Sequence, residues 1–421
     1  MKYLILIPDG MADRKHPALG GHTPMEKADK PEMDALALRS LTGVVSNVPA
    51  GMVPESDTAN LAILSYDPKI YSNGRSPLEA MSLGIEMAPD DTAIRCNVVT
   101  LSGTSDDPYE TRVMLDHSAD EITTEEADEL VKALNEAMPM EGRHLYTGVS
   151  YRHCLIWKNA ADKYNFARPH DILDRVIGDY LPKEDDGGKE FLEYMKRGAE
   201  ILDRHPVNLE RVRRGKRPAN SPWLWSPGKK PALPSFSEKW GLKCAIISAV
   251  DLIKGIGICA GCDVIEVEGA TGNFDTNYRG KAQAAIDALK DHDLVYVHVE
   301  APDECGHRGE ADVKTAAIER IDHEILSVVH KYLSQSGEDY KIMVLPDHPT
   351  PIELRTHSME PVPFFIYDSR SEKHNDIESY TEEECRKTGL YIPRGHDLMQ
   401  ILTADDSAKE AAKLSAELPK E

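Results

Sequence analysis

The sequence predicts an α/β protein: a mostly parallel sheet covered by helices, with a smaller α+β domain inserted into it. Three observations lead there. Short, unbroken apolar runs are each ended by a turn that carries an acid. Helical periodicity fills the stretches between those runs. In a long middle section this alternation breaks down.

The first run, Tyr3–Ile7, stops at Pro8-Asp9-Gly10. An apolar run without polar alternation suits a strand buried on both faces. Asp293–Val299 has the same form and leads into Glu300-Ala-Pro-Asp303; Lys341–Leu345 leads into Pro346-Asp347-His348. Leu242–Ile247 resembles them. Lys281–Leu289 and Val313–Leu333 repeat apolar residues at three and four, the period of a helix with one buried face. Strands alternating with helices imply parallel crossovers. Ligands of such sheets gather beyond the carboxyl ends of the strands, where Asp9, Asp303 and Asp347 would meet.

Residues 92–238 read as the inserted domain, leaving 1–91 with 239–405 as the catalytic domain and 406–421 as a charged tail. The middle holds a helical stretch at Glu125–Ala137, a polar turn at 183–188 and a basic run at Arg211–Arg217. Pro218–Pro234 shows few signs of regular structure.

The chain has 421 residues and a net charge of −23, which disfavours nucleic acid and anionic membrane as partners. The basic run therefore reads as a solvated helix end. No apolar run is long enough for a membrane span, and the N-terminus lacks a signal-peptide core, so a cytoplasmic location is expected. Seven scattered cysteines suit reduced thiols, and Cys259-x-x-Cys262 lacks the further ligands of a zinc site.

The chemistry concentrates at the strand ends. Asp303 and His307 are four apart, Asp347 and His348 adjacent, and His357 follows nearby. With Asp9 these make three aspartates and three histidines, a carboxylate–imidazole set suited to two divalent ions. Ser56, in Pro54-Glu-Ser56-Asp-Thr-Ala-Asn60, is either the cap of the following helix or a nucleophile.

The ordered set Pro8-Asp9-Gly10, Ser56-Asp-Thr-Ala-Asn60, Pro302-Asp303-x-x-Gly-His307, Asp347-His348 and His357-Ser-x-x-Pro-Val-Pro363 resembles the cofactor-independent (2,3-bisphosphoglycerate-independent) phosphoglycerate mutases. This is a family of the alkaline phosphatase superfamily, and the likeness is greatest to its shorter archaeal type. The resemblance implies an alkaline phosphatase-like core with an inserted cap. It implies one metal on Asp9, Ser56, Asp347 and His348, and another on Asp303, His307 and His357. Ser56 would take the phosphoryl group of 3-phosphoglycerate and return it to the 2-hydroxyl of glycerate held between the domains, without 2,3-bisphosphoglycerate. Mn2+ is the expected ion, with Zn2+ or Mg2+ as alternatives.

The small anionic substrate calls for cations. Arg152 and His153 resemble the family's Tyr-Arg-His segment, with Arg175 and Arg95 as further substrate candidates, and Lys254 resembles a lysine placed beside the phosphoryl group. Ser221-Pro-Trp223-Leu-Trp225 and Val299-Glu-Ala-Pro-Asp303 also resemble a bacterial branch proposed to act as homoserine kinases. That kinase, or a metal-dependent phosphatase, is the alternative reading.

Overall fold

A computed structural model describes residues 1–184 and 187–419. Asp185 and Asp186 of the expected polar turn, and Lys420 and Glu421 of the tail, lie outside the described residues. The chain forms two compact units, Met1–Ser72 with Ala232–Glu421, and Asn73–Pro231.

The first unit is an α/β layer structure around an eight-stranded sheet. Its strands run in the spatial order Tyr391–Ile392, Leu41–Val45, Val362–Asp368, Tyr340–Val344, Lys2–Pro8, Leu294–Val299, Cys244–Ile247 and Asp263–Val264. The last five are mutually parallel, while Val362–Asp368 runs antiparallel to both its neighbours. The central strands read as continuous apolar runs because helices cover both faces; Leu4, Ile5, Leu6 and Ile7 are all fully buried. Register sets the geometry of the site. Leu6 lies level with Val297 and Val344, and Pro8 with Val299, so the residues that follow these strands emerge together at one edge.

The expected helix over 313–333 is two α-helices, Ala311–Ile321 and Ser327–Gln335, joined by a π turn at Asp322–Leu326. The turn has a purpose. Asp322 is buried, and its carboxylate accepts from the amides of Glu32 (3.2 Å) and Met33 (2.6 Å), which open the helix Pro31–Ala37. The tail carries one more helix, Ser407–Leu414.

The second unit is a five-stranded sheet. The long strand Asp91–Leu101 pairs antiparallel with Arg152–Lys158 on one side and Ser221–Lys229 on the other. Arg143–Tyr146 and Met114–Asp116 complete it. Helix Thr124–Ala137 buries Ala127, Leu130, Val131 and Leu134, the i, i+3, i+4, i+7 stripe, and Lys189–Asp203 adds Phe191, Tyr194, Met195 and Leu202 to the same core. Helix Ser76–Ser82 packs on the strands Asp91–Leu101 and Ser221–Lys229, which places it in this unit although it precedes the first strand.

Two expectations need correction here. Pro218–Pro234 is not irregular: Ser221–Lys229 is a strand despite Pro222 and Pro227. It pairs with a single neighbour, so a residue without an N–H is tolerated, and a register shift opposite Ile94/Arg95 relieves the second proline. Nor is the whole basic run solvated. Helix Pro206–Arg213 ends there, but the Arg211 side chain is buried, donating to Glu126 and to the Ala119 and Arg217 carbonyls. Trp223 is 1% exposed and donates to the Ala167 carbonyl at 2.9 Å. Trp223→Ala is expected to cost about 3–5 kcal/mol in the unfolding transition of this unit, read by denaturant titration followed through tryptophan fluorescence.

Candidate metal centre and nucleophile

Ser56 is the first residue of the helix Ser56–Ile63, but it does not cap it. Glu55 holds the cap position and makes no side-chain cap bond, so the Ser56 hydroxyl is left free of that duty. Its Oγ instead sits 3.1 Å from His348 Nε2. The helix start is fixed from below: Asn60, fully buried, donates to the Ser56 carbonyl at 2.8 Å and to Asp347 Oδ2 at 2.9 Å, and accepts from the Tyr296 hydroxyl.

The strand-end acids and histidines meet around this serine. Asp347 Oδ1 accepts from the amides of Gly10 (3.1 Å) and His348 (2.9 Å). His348 Nε2 lies 3.4 Å from Asp347 Oδ2 and 3.7 Å from Asp9 Oδ1. Asp303 and His307 share a face of the helix Ala301–Arg308, with His307 Nε2 at 3.2 Å from Asp303 Oδ2. His357 Nε2 approaches Asp303 Oδ1 at 3.3 Å and His307 Nε2 at 3.0 Å, and its ring stacks on His348 with centroids 3.9 Å apart. Gly10 makes the crossing of these loops feasible. Its φ is +62°, and a Cβ there would lie 2.7 Å from Asp303 Oδ1 and 2.5 Å from Thr350 Oγ1.

This set fits divalent ions on the structure's own terms. His307 Nδ1 faces the Arg355 carbonyl at 3.0 Å and His357 Nδ1 the Pro54 carbonyl at 2.5 Å. Each carbonyl accepts a hydrogen bond from Nδ1, so both Nε2 atoms face Asp303 and, once their own proton is displaced, offer the lone pair a metal ligand needs. Asp9 is 1% exposed, and its Oδ1 has no hydrogen-bond donor among the described residues. Burial, then the charges of Asp347 and Asp303, push its pKa well up. Buried carboxylates this close cannot all stay ionised without a cation among them. Donor atoms from Asp303, His348 and His357 lie within 4.8 Å of one another, as do those from Asp9, His298 and Asp347 and those from Asp9, Glu300 and Asp303.

Proton competition follows from the same contacts. Its hydrogen bond to Asp303 holds His307 up at about 9. Burial would lower His357, but its bond to Asp303 outweighs it and the net shift is upward. For raised pKa values the stabilisation is complete below the ordinary histidine range and is lost as pH climbs through the folded value. In chelator-treated protein that window runs up to about 9 for His307. A metal must displace this proton, so its apparent affinity is expected to rise by up to about tenfold per pH unit from neutrality towards pH ~9. Calorimetric metal titrations across that range check it.

Among the other predicted residues, Lys254 belongs to the same unit, where its Nζ pairs with Glu266 at 2.8 Å. The rest lie in the second unit. Arg152 is exposed, its guanidinium over the Tyr151 ring. Arg95 pairs with Glu79 and stacks on Trp225, and Arg175 donates to the Tyr180 hydroxyl at 2.9 Å. His153 is buried, accepts from the Gly148 amide at 3.2 Å, and is pushed down to about 4 by burial. Four residues that shape the centre were given no role from sequence: Asn60 and Glu300, which appeared only as motif members, and His298 and Thr350. His298 Nε2 lies 3.0 Å from Asp9 Oδ2, although out of line for a hydrogen bond, and Thr350 Oγ1 donates to Asp303. The signal was a histidine inside an otherwise apolar strand and an acid immediately after it.

Known proteins resemble the chain along nearly its whole length. The sequence model of a family described as 2,3-bisphosphoglycerate-independent phosphoglycerate mutase matches residues 37–208. A Methanosarcina barkeri protein with that name is 46% identical over 406 residues, 96% of this chain and 99% of its own. A probable 2,3-bisphosphoglycerate-independent phosphoglycerate mutase of Geobacter sulfurreducens is 45% identical over 402 residues, again 96% and 99% of the two chains. Among solved structures, a Pyrococcus horikoshii protein superposes with a TM-score of 0.78 at 30% identity, covering 100% of this chain and 99% of that one. A cofactor-independent phosphoglycerate mutase from Thermoplasma acidophilum gives 0.68 at 28%, covering 96% and 99%.

Proposed function

The chain belongs to the 2,3-bisphosphoglycerate-independent phosphoglycerate mutase family, and on that premise we infer that it interconverts 3-phosphoglycerate and 2-phosphoglycerate by way of a phosphoserine at Ser56. The observation that carries the role of Ser56 is its hydroxyl, released from helix capping and aimed at His348 Nε2.

In the forward step Ser56 Oγ forms a bond to phosphorus while the bond from phosphorus to the substrate's 3-oxygen breaks. The electron pair leaves on that oxygen, and the proton lost by Ser56 balances the one the glycerate alkoxide gains. The return step has the 2-hydroxyl oxygen attack the same phosphorus and free Ser56. Burial holds His348 below the ordinary imidazole range, so Nε2 presents a lone pair beside the serine and not a second proton. His348 Nδ1 is 3.3 Å from Thr350 Oγ1, which itself donates to Asp303, fixing the ring. Two divalent ions, held by Asp9, Ser56, Asp347 and His348 and by Asp303, His307 and His357, would when bound stabilise the charge that develops on the transferred group. We assign Mn2+, with Zn2+ and Mg2+ as alternatives.

Of the candidate substrate cations, Arg152 has no carboxylate partner among the described residues, which supports it as the guanidinium that takes the substrate carboxylate. A role for Lys254 at the phosphoryl group requires its pair with Glu266 to open. The homoserine kinase reading loses its footing. The tryptophan-rich segment that suggested it packs the second unit: Trp223 fills the core and Trp225 donates to Asn97 Oδ1 at 2.9 Å. No described helix is long and apolar enough to cross a membrane, and the seven cysteines are free thiols, which supports a reducing, cytoplasmic setting.

The test is phosphorus NMR of Mn-loaded protein with 3-phosphoglycerate and no bisphosphoglycerate. Formation of 2-phosphoglycerate, abolished by chelation and restored by Mn2+, is expected. Release of phosphate alone, or a requirement for bisphosphoglycerate, would overturn the assignment.

A further inference from the structure

Bordering the loops that follow Asp9 and His348, the first unit has a cavity of about 610 Å³, walled by Ala12, Asp13, Pro349 and the helix Glu382–Lys387. Its volume is in the range of small-molecule sites. Its charges are of two kinds. Most are already neutralised within the wall: Arg14 pairs with Glu360, Lys15 with Glu383 at 3.0 Å and with Glu26 at 3.7 Å, and Asp13 with the buried Lys314 at 2.7 Å.

Two are not. Glu382 accepts from the Asp13 amide at 3.0 Å and from Thr23 Oγ1 at 2.9 Å, but has no cationic partner among the described residues. Burial pushes its carboxyl up to about 7, as expected for an acid held in a wall without a counter-charge. Arg386, also lining the cavity, has no carboxylate partner among the described residues. The two are four apart on one helix, the spacing at which Glu and Arg ordinarily pair, with Cβ atoms about 5–6 Å from each other. Here they do not pair with each other; both line the cavity. One acid and one guanidinium, both without a counter-charge and both lining the same cavity, complement a ligand that is neutral overall but carries both signs. A guanidinium binds a carboxylate bidentately, and a carboxylate binds an ammonium.

We propose that this cavity binds a small zwitterion of the α-amino acid class, its ammonium on Glu382 and its carboxylate on Arg386. Simple anions meet the Glu382 carboxylate, and simple amines meet Arg386, so each is disfavoured by one of the two groups. The remaining space beside Pro349 and Pro361 takes the side chain.

The experiment is a thermal-shift screen of the full-length, Mn-loaded protein against the standard L-α-amino acids, followed by calorimetry of those that stabilise it. At least one amino acid is expected to bind saturably at or below about 10 mM. Arg386→Gln and Glu382→Gln are each expected to weaken it at least about tenfold, the loss of one charge-assisted hydrogen bond. Arg386 lies at the accessible end of the helix, so Arg386→Gln tests the site even if Glu382→Gln fails to fold. Propionate and ethylamine, which carry one charge each, are expected to bind at least tenfold more weakly. No binding by any amino acid, binding untouched by Arg386→Gln, or equal binding of the singly charged compounds would each overturn the proposal.

Discussion

Ser56→Ala is expected to lower mutase turnover by about 10⁴-fold or more while the protein stays folded. The two halves of that expectation have separate physical grounds. Ser56 stands at the first position of its helix, where alanine is a good helix former, and its hydroxyl makes no cap bond, so stability has little to lose. In the proposed mechanism this hydroxyl is the group that forms the bond to phosphorus, so its removal takes away the nucleophile. Turnover and thermal unfolding of the variant are the readouts. A variant that turns over within tenfold of the parent would remove Ser56 from the chemistry.

Asp303→Asn is the second large effect. The carboxylate is 5% exposed and touches both imidazoles. Burial would raise its pKa, but the bonds to His307 and His357 outweigh this and hold it well down. Asparagine keeps the shape and an oxygen for Thr350, so the loop is expected to survive. What disappears is the charge. Metal affinity is expected to fall at least about 10²-fold, more than the loss of an outer-shell partner. His307 is expected to titrate nearer the ordinary histidine range in place of about 9. Calorimetry reads the first and imidazole NMR the second. An unchanged affinity would show that Asp303 holds no metal.

Much of the centre was legible because its parts carry local marks. Asp9, Asp303 and Asp347 each end an apolar strand, and once the strands are parallel and in register such residues converge without further instruction. Ser56 was visible as a choice between cap and nucleophile; the geometry at Glu55 removes the first reading, and the contact with His348 supports the second. Other features depend on contacts that no local pattern encodes. The strand Ser221–Lys229 contains two prolines and is tolerated only because it pairs on one side. Arg211 sits in a run of surface-like charges, yet Glu126 and the Ala119 carbonyl draw it into the interior. Thr350 acts through a hydrogen bond to a residue far along the chain, Asp303, so its sequence neighbourhood gave no hint, and Asn60 stood out only as the last residue of the Ser56 motif, with no sign of its bond to Asp347. The unpaired Glu382 and Arg386 look, in sequence, like an ordinary i, i+4 ion pair.

The most direct test of the central claim is rapid acid quenching of the Mn-loaded enzyme mixed with phosphorus-32-labelled 3-phosphoglycerate, followed by peptide mapping. Label recovered as phosphoserine on the peptide that contains Ser56, appearing before labelled 2-phosphoglycerate and absent from Ser56→Ala, is the predicted result. Labelled 2-phosphoglycerate formed at full rate with no label on Ser56 would contradict the account.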